Sequence, residues 1–364
     1  MKRLYTIAIL IFIFNIQKTN AQGCVAIRSN GNAACSMGNS GPVKGWQLNL
    51  NNRTFKSYKH FIGTAEQKER VDSGTEVINR SFSTDITLTR TINSRWSVSI
   101  SAPFIANSRS SKYEHYGNTS KSPLARRSTK AVGLGDLRLS AYRWMFDPAK
   151  SHKGNLQLGL GLKFATGDYT VQDFFYKNDS TYTMGPVDQS IQLGDGGTGI
   201  TTEVNGYYNV NHKLGFYGNF FYLISPREQN GVSATRGAAP SAVTLKYYSN
   251  TMSVPDQFMA RAGMNYMTGY FTFSGGLRVE GVPSSDLVGG DKGFRRPGFV
   301  LSAEPVISYT RKKTTVYFAL PVAIERNRTQ SYSDKLRSAD TKTHVQGDAA
   351  FADYLVNAGI TFRF

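Results

Sequence analysis

Cysteine is almost absent from this 364-residue chain, and so are long apolar runs. The only two cysteines are Cys24 and Cys35. After residue 16, no window approaches the roughly 18 to 20 uninterrupted apolar residues that a transmembrane helix requires. If the chain enters a membrane, it must do so with β-strands.

Residues 1–21 predict an export signal. Met1, Lys2 and Arg3 give a basic start, residues 4–16 are largely apolar, and Thr19 and Ala21 are small residues that permit cleavage before Gln22. A lipoprotein would need a larger aliphatic residue three positions before Cys24, where the sequence has Ala21. The mature chain is therefore expected to begin at residue 22.

Residues 22–44 are predicted to form a periplasmic N-terminal segment. In an oxidising compartment, Cys24 and Cys35 are expected to form a disulfide, although two free thiols are the alternative. No further ligands cluster near them, so no metal is expected, and no cofactor is indicated. The segment could be a loose tail or a plug at the lumen entrance.

Acidic residues are scarce. The formal net charge is +18, and removal of Lys2, Arg3 and Lys18 leaves +15 on the mature chain. Such a charge can indicate nucleic-acid binding, but the export signal argues against it. The stretch from Arg109 to Lys130 carries six basic residues against one acidic residue. This charge suits either solvated loops or attraction of anionic lipid, lipopolysaccharide or solute.

Period-two alternation runs through residues 45–364. In the final segment, residues 354, 356, 358, 360, 362 and 364 are apolar, and the residues between them are mostly polar or small. Twelve segments of this kind can be recognised. An apolar alternating strand that ends on an aromatic residue is typical of bacterial outer-membrane barrels.

Short and long connections alternate between these segments. Short turns are predicted at 93–94, 147–153, 211–212, 268–269 and 311–312, and long links at 56–76, 107–132, 167–197, 226–255, 282–297 and 325–350. This pattern predicts an all-β, 12-stranded antiparallel transmembrane β-barrel with short periplasmic turns, long extracellular loops and both termini in the periplasm. A soluble sandwich is the alternative fold.

Aromatic side chains on the outward register favour the barrel over the sandwich, because membrane barrels carry interfacial aromatic girdles. These residues are Trp46, Trp96, Tyr208, Phe216, Phe220, Tyr222, Phe271, Phe273, Phe299, Tyr309 and Phe318.

No catalytic residue is predicted. The string Gly194 to Gly199 matches a dinucleotide-binding pattern by letter, but a strand follows it instead of the required helix. His152 and His212 are predicted in periplasmic turns, and His60, His115 and His344 in external loops. A loop site that pairs His60 or His115 with a carboxylate remains a minor alternative.

Charged residues on the inward register are predicted to line a lumen and the path of a solute. They are Asp85, Arg95, Asp136, Arg138, Lys163, Glu203, Arg261, Arg278, Glu280 and Glu304. They could pair with neighbours and fill the lumen, or form opposed rows of charge that select a solute. Glycines on the inner side of the fifth strand, such as Gly159 and Gly161, are expected to leave room in the lumen.

Three ordered motifs resemble an outer-membrane family named for the MetA pathway of phenol degradation, in a variant like that of Bacteroidetes. They are Ala102-Pro103-Phe104, the string from Gly133 to Leu137, and the string from Leu160 to Tyr169, where Ala165 replaces a frequent proline. The resemblance implies a channel for small hydrophobic or aromatic solutes.

The sequence thus predicts an outer-membrane channel for solute uptake and not an enzyme. A structural or binding barrel, or an export pore for a secreted polypeptide, is the alternative function.

Overall fold

The computed structural model describes residues 44–115 and 117–364. The predicted signal peptide, almost all of the N-terminal segment and the predicted Cys24–Cys35 disulfide lie outside these residues. The described strands are β1 Gly45–Ile62, β2 Ala65–Glu66, β3 Ile78–Thr91, β4 Trp96–Lys112, β5 Arg126–Leu134, β6 Arg138–Trp144, β7 Gly154–Lys163, β8 Gln172–Tyr176, β9 Tyr182–Pro186, β10 Gly199–Asn209, β11 Leu214–Ile224, β12 Gln229–Ser233, β13 Thr251–Ser253, β14 Gln257–Thr268, β15 Phe271–Val282, β16 Gly298–Arg311, β17 Thr314–Ala319, β18 Val322–Arg328 and β19 Ala349–Arg363. The described α-helices are α1 Lys68–Asp72, α2 Ala242–Lys246 and α3 Tyr332–Thr341.

Twelve wall strands form a closed antiparallel barrel, as predicted. β5 and β6 together make one wall strand, because both pair with β4, and β17 and β18 make another, because both pair with β16. The barrel closes where β1 pairs with β19, from Gln47 opposite Arg363 to Phe61 opposite Ala349. Closure leaves no free sheet edge on which backbone amides would lack partners.

One end of the barrel carries short turns and the other carries the long connections, as predicted. The first and last wall strands also meet at the short-turn end, where the Trp46 backbone N–H donates to the Phe364 carbonyl at 2.8 Å. The long connections are shorter than predicted, because β1 continues to Ile62 and β4 to Lys112. The prediction that His60 lies in a loop is therefore wrong. His60 lies near the end of β1, where it is buried.

The β17–β18 wall strand is interrupted at Leu320-Pro321, and proline cannot donate a ladder hydrogen bond. Beyond the break, β18 pairs with β19 only through Val322 and Tyr354. Nearer the end with the long connections, Arg326 of β18 forms side-chain hydrogen bonds to β19. Its Nε donates to the Ala352 carbonyl at 3.0 Å, and its Nη2 donates to Asp353 at 2.7 Å.

The outer surface of the barrel is apolar and the inner surface is polar. Of the predicted girdle, Trp46, Trp96, Tyr208, Phe216, Phe220, Phe271, Phe273 and Phe318 are exposed on the outside, and Tyr222, Phe299 and Tyr309 are half-buried. The buried inward residues include Asn49, Ser83, Ser101, Asn219 and Thr361. Among residues 44–115 and 117–364, no helix has the length and apolar character needed to cross a bilayer.

The β7–β10 loop, residues 164–198, folds into the barrel. Its Val187, Ile191 and Leu193 pack against the inward-facing Ile105 of β4 and Ala131 of β5. The side-chain amide of Asn107 on β4 also donates to the Ile191 carbonyl at 3.3 Å. Apolar burial thus holds this loop against the inner wall, and the loop fills part of the lumen at the end with the long connections.

The inward glycines do not leave empty space, contrary to expectation, because side chains from neighbouring strands cover them. Ser140 and Thr201 cover Gly161, and tyrosine rings cover others. A Cβ at Gly359 would lie 2.3 Å from the Tyr317 ring, and a Cβ at Gly159 would lie 2.6 Å from the Tyr142 ring. Tyr217 covers Gly263 and Gly276 in the same way. Glycine is required at these positions because the rings occupy the volume of a side chain.

Candidate functional site

Nine of the ten predicted lumen residues belong to the interior of the barrel. Asp85, Arg138, Lys163, Glu203, Arg261, Arg278, Glu280 and Glu304 are buried inside the wall, and Asp136 contacts Lys163 from the break between β5 and β6. Arg95 differs from the prediction, because it lies in the exposed turn before β4 and not within a strand. Strand periodicity therefore placed nine of these residues on the inner side of the barrel and was wrong for Arg95, which lies at a strand end; their part in a solute path stays a prediction.

Three neighbouring strands contribute one charged cluster to the lumen. The Arg278 guanidinium on β15 donates to Glu304 on β16 at 3.2 Å and to Glu280 at 2.8 Å. Arg261 on β14 lies 3.7 Å from the same Glu304 oxygen. Since hydrogen bonds to charged groups are stronger than neutral ones, this cluster fixes its side chains against the wall.

A second cluster forms where β7 ends. The Lys163 ammonium lies 3.2 Å from Asp136 and also contacts Asp195 at the end of the β7–β10 loop. The Gly167 backbone N–H donates to Asp136 at 3.0 Å. The cluster therefore joins the interrupted β5–β6 wall strand to the inward-folded loop.

Glu203 and Arg138 each meet an aromatic ring on the inner wall. The Tyr142 hydroxyl donates to Glu203 at 3.3 Å, and the Arg138 guanidinium lies 5.8 Å from the centroid of the Phe221 ring. In both clusters and at these contacts, charged residues interact with groups nearby on the wall. The sequence left local pairing and opposed rows of charge open, and the contacts described here are local pairs on the wall.

The Gly194 to Gly199 string leads from the loop directly into β10, which begins at Gly199. This confirms that it is a loop-to-strand connection. Among the described residues, no group of three or more His, Cys, Asp or Glu side chains is arranged to hold a metal ion.

A cavity of about 300 Å³ lies at the long-loop end of the barrel. We call it the mouth cavity and define it by the side chains that line it. Its charged and imidazole residues are His60, Arg70, Arg109, His115, Arg236, Arg295, Arg296, Arg328, Asp334, Arg337 and Asp348, and its apolar and aromatic residues are Val77, Val243, Tyr247, Phe294, Ala349 and Ala350. Seven arginines and two aspartates thus face one small volume.

Asp188 of the β7–β10 loop lies behind three of these arginines. Arg296 makes two hydrogen bonds of 2.7 Å to its carboxylate, Arg236 makes one of 3.3 Å, and Arg109 lies 3.7 Å away. Burial alone would raise the pKa of Asp188, but the arginines outweigh burial and hold this pKa well below the usual 3.8. Asp188 is therefore a carboxylate at neutral pH.

His60 has no free ring nitrogen. Its Nε2 accepts a hydrogen bond of 2.9 Å from the Val77 backbone N–H, and its Nδ1 lies 2.7 Å from Asp348. Since Nε2 is an acceptor, Nδ1 carries the proton and donates it to Asp348. A histidine held in this way cannot accept a proton from a nucleophile without losing one of these hydrogen bonds.

His115, which follows Glu114 in the sequence, lines the cavity. Burial, together with the nearby Arg109, lowers the pKa of His115 to about 4. The ring is therefore neutral at physiological pH and adds no charge to the cavity.

The sequence did not identify the mouth cavity. Its arginines come from β4, the β11–β14 loop (residues 225–256), the β15–β16 loop (residues 283–297), β18 and two short helices. The basic excess between Arg109 and Lys130 was the one signal, and of the six Lys and Arg residues in that stretch only Arg109 lines the cavity.

Comparison with solved structures relates the fold to known barrels. An outer membrane channel from Pseudomonas putida F1 aligns with a TM-score of 0.58 and 11% identity, over 93% of this chain and 100% of that channel. The CymD monoaromatic hydrocarbon channel gives 0.44 and 12%, over 96% and 99%, and the P. putida toluene transporter TodX gives 0.42 and 10%, over 92% and 95%. At these identities the first likeness shows the fold alone, and the other two are too distant to carry an argument.

No protein-family model matches the chain, and a search of curated proteins finds no match.

Proposed function

We propose that this protein is an outer-membrane channel for the uptake of small solutes. The observation that carries the proposal is the combination of a closed barrel, an apolar outer surface and a charged, hydrogen-bonded inner surface. A bilayer has no water to satisfy backbone groups, so only helices and closed barrels can cross it. In a soluble barrel, the exposed rings of Trp46, Trp96 and Phe271 would have no apolar partner.

The short-turn end is assigned to the periplasm and the long-loop end to the cell exterior, as in outer-membrane barrels generally. This assignment places Trp46 and Phe364 on the periplasmic side. The apolar wall would contact outer-membrane lipid, and the basic outer loops would meet lipopolysaccharide. No nucleic-acid partner is proposed.

The solute path would pass the mouth cavity, the inward-folded β7–β10 loop and then the charged lumen wall. Asp85, Arg138, Glu203, Arg261 and Glu280 would line its middle section. The resemblance of the sequence motifs to the phenol-degradation family supports a small, hydrophobic or aromatic solute. A channel narrowed in this way is less suited to export of a polypeptide, because the β7–β10 loop packs against the inner wall.

An enzymatic role is not supported. His60 is the histidine best placed beside a carboxylate. Both of its ring nitrogens are already hydrogen-bonded, one to Asp348 and the other to the Val77 backbone N–H. A hydrolase would need a histidine nitrogen that faces a nucleophile.

Solute uptake tests the proposal. Proteoliposomes that contain the purified protein should swell in isotonic solutions of small aromatic solutes and should not swell with large oligosaccharides. Arg261→Ala and Glu203→Gln should change the swelling rates, whereas Lys177→Gln, at an exposed loop tip, should not. Swelling no faster than that of protein-free liposomes would contradict the proposal.

A further inference from the structure

The mouth cavity presents more positive than negative charge to its interior. Glu114 and Asp188 neutralise Arg109, Arg236 and Arg296 from behind and do not line the cavity. Three guanidinium groups therefore share two carboxylates. Asp334 and Asp348 are the carboxylates that line the same volume, so seven guanidinium groups face two carboxylates there.

The remaining arginines differ in how fully they are paired. Arg70 contacts Asp348, Arg328 pairs with Asp334 at 3.1 Å, and Arg295 makes two hydrogen bonds to Asp286. Arg337 lies exposed on α3, and its side chain has no ion pair within the described part of the chain. Arg337 therefore adds a second uncompensated charge at the rim.

Arg109 is the most unusual of these residues, because it is 4% exposed yet forms no close ion pair. Its guanidinium lies 3.7 Å from Glu114 and 3.7 Å from Asp188, and its Nε has no hydrogen-bond partner among the described residues. A buried donor without an acceptor is costly, and a bound anion would supply the acceptor. Guanidinium groups match carboxylates with two parallel hydrogen bonds.

The rest of the cavity wall is partly polar, with Asn79, Ser249, Ser331 and Ser333, and partly apolar. Val77, Val243, Tyr247, Phe294 and Ala349 face the same volume as the arginines. Arg296 lies over the Phe294 ring at 4.7 Å, which orients the guanidinium and the ring toward each other. A ligand with an anionic group and a compact apolar body would satisfy both parts of the wall.

The volume limits the size of the ligand. A cavity of about 300 Å³ lies at the small end of the range for small-molecule sites, roughly 300–1,000 Å³. A single aromatic ring with one carboxylate fits this space, whereas an oligosaccharide chain does not.

We propose that the mouth cavity is a binding site for small monocarboxylic acids with an apolar body, such as aromatic acids. The carboxylate pairs with Arg109 and the neighbouring guanidinium groups, and the apolar body packs against Phe294 and Tyr247. The view that such acids then permeate the barrel rests on the proposed channel function. Binding of the acid in the mouth cavity does not depend on the channel function.

Calorimetric titration of the full-length protein in detergent tests the site. Benzoate should bind with at least tenfold higher affinity than benzamide, which has the same shape but no charge. Inorganic phosphate, which has no apolar body, should bind more weakly than benzoate. Equal affinities of benzoate and benzamide would overturn the role of the arginines, and phosphate binding as tight as benzoate binding would overturn the role of the apolar wall.

Variants locate the site. Arg109→Gln should weaken benzoate binding at least tenfold and Arg337→Gln at least threefold, whereas Glu114→Gln should strengthen it. Lys335→Gln removes the same charge from the same helix without lining the cavity and should leave the affinity within twofold. Equal loss from Lys335→Gln and Arg337→Gln would show that only bulk charge matters. If Arg109→Gln does not fold, the exposed Arg337 still provides the test.

Benzoate binding and solute passage can be measured separately, so failure of the binding site can be distinguished from failure of the channel function. Benzoate binding to a barrel that passes no solute would contradict the channel and leave the site in place. Solute passage without benzoate binding would contradict the site alone.

Discussion

Arg296 and Asp188 are joined by two hydrogen bonds of 2.7 Å, between the β15–β16 loop and the inward-folded β7–β10 loop. The residues are 108 positions apart in the sequence. Arg236 of the β11–β14 loop and Arg109 of β4 also lie beside Asp188. One carboxylate thus links three long loops to the barrel wall.

Replacement of Asp188 by Asn should loosen these loops without unfolding the barrel. Removal of one member of a buried ion pair costs about 3–5 kcal/mol, because the partner charges remain buried. Trypsin should then cleave after Arg236 faster than in the parent protein, while the wall stays protected. Asp168→Asn, an exposed change in the same loop, is the control. Unchanged cleavage of Asp188→Asn would contradict the linking role.

Loop stability should fall as pH decreases from about 6.5 to about 4. Burial and Arg109 lower the pKa of His115 from 6.5 to about 4, so in this range the unfolded loop binds more protons than the folded loop. Stability is therefore full above 6.5 and decreases toward 4, where Asp188 is still ionised. Hydrogen exchange of residues 109–125, corrected for the intrinsic pH dependence, should show this trend. The His115→Gln variant should show a flatter profile, and an equal slope in both proteins would refute the assignment.

Tyr317→Ala should widen the lumen. The Tyr317 ring covers Gly359 and donates a hydrogen bond of 2.9 Å to Asn51 across the closure of the barrel. Removal of the ring leaves open volume beside glycine, so single-channel conductance should increase. Phe318→Ala, at the adjacent outward position, should leave conductance unchanged. A similar change in both variants would argue against a lumenal position of Tyr317.

Backbone amides of β18 should exchange faster than those of β17. β17 pairs on both sides along its length, whereas β18 pairs with β19 at Val322 only. Mass spectrometry of exchanged peptides should show lower protection for 322–328 than for 314–319. Equal protection would mean that a complete ladder joins β18 to β19 in solution.

The sequence was sufficient to predict the wall of the barrel. Period-two alternation marks which side of a strand contacts lipid, and the turn residues mark where strands reverse. For these reasons the strand number, the girdle and the inward placement of Lys163, Arg261 and Glu304 could be predicted. The true strand ends could not, because outside the membrane both faces of a strand are polar and the alternation fades.

The mouth of the barrel could not be predicted, because it depends on contacts between distant loops. Nothing in the local sequence of Asp188 indicates that Arg109 and Arg296 converge on it. Val187 and Ile191 show that part of this loop is apolar, but only the three-dimensional structure shows that they pack against Ile105. The tyrosine rings over the inward glycines are cross-strand contacts, which require the register.

Single-channel recording in planar bilayers tests the central claim most directly. The protein should produce stepwise currents, and its ion selectivity should shift toward anions in Glu203→Gln and toward cations in Arg261→Ala, because each change removes one lumenal charge. An electrically silent barrel, or the same shift in both variants, would contradict a passage lined by these residues.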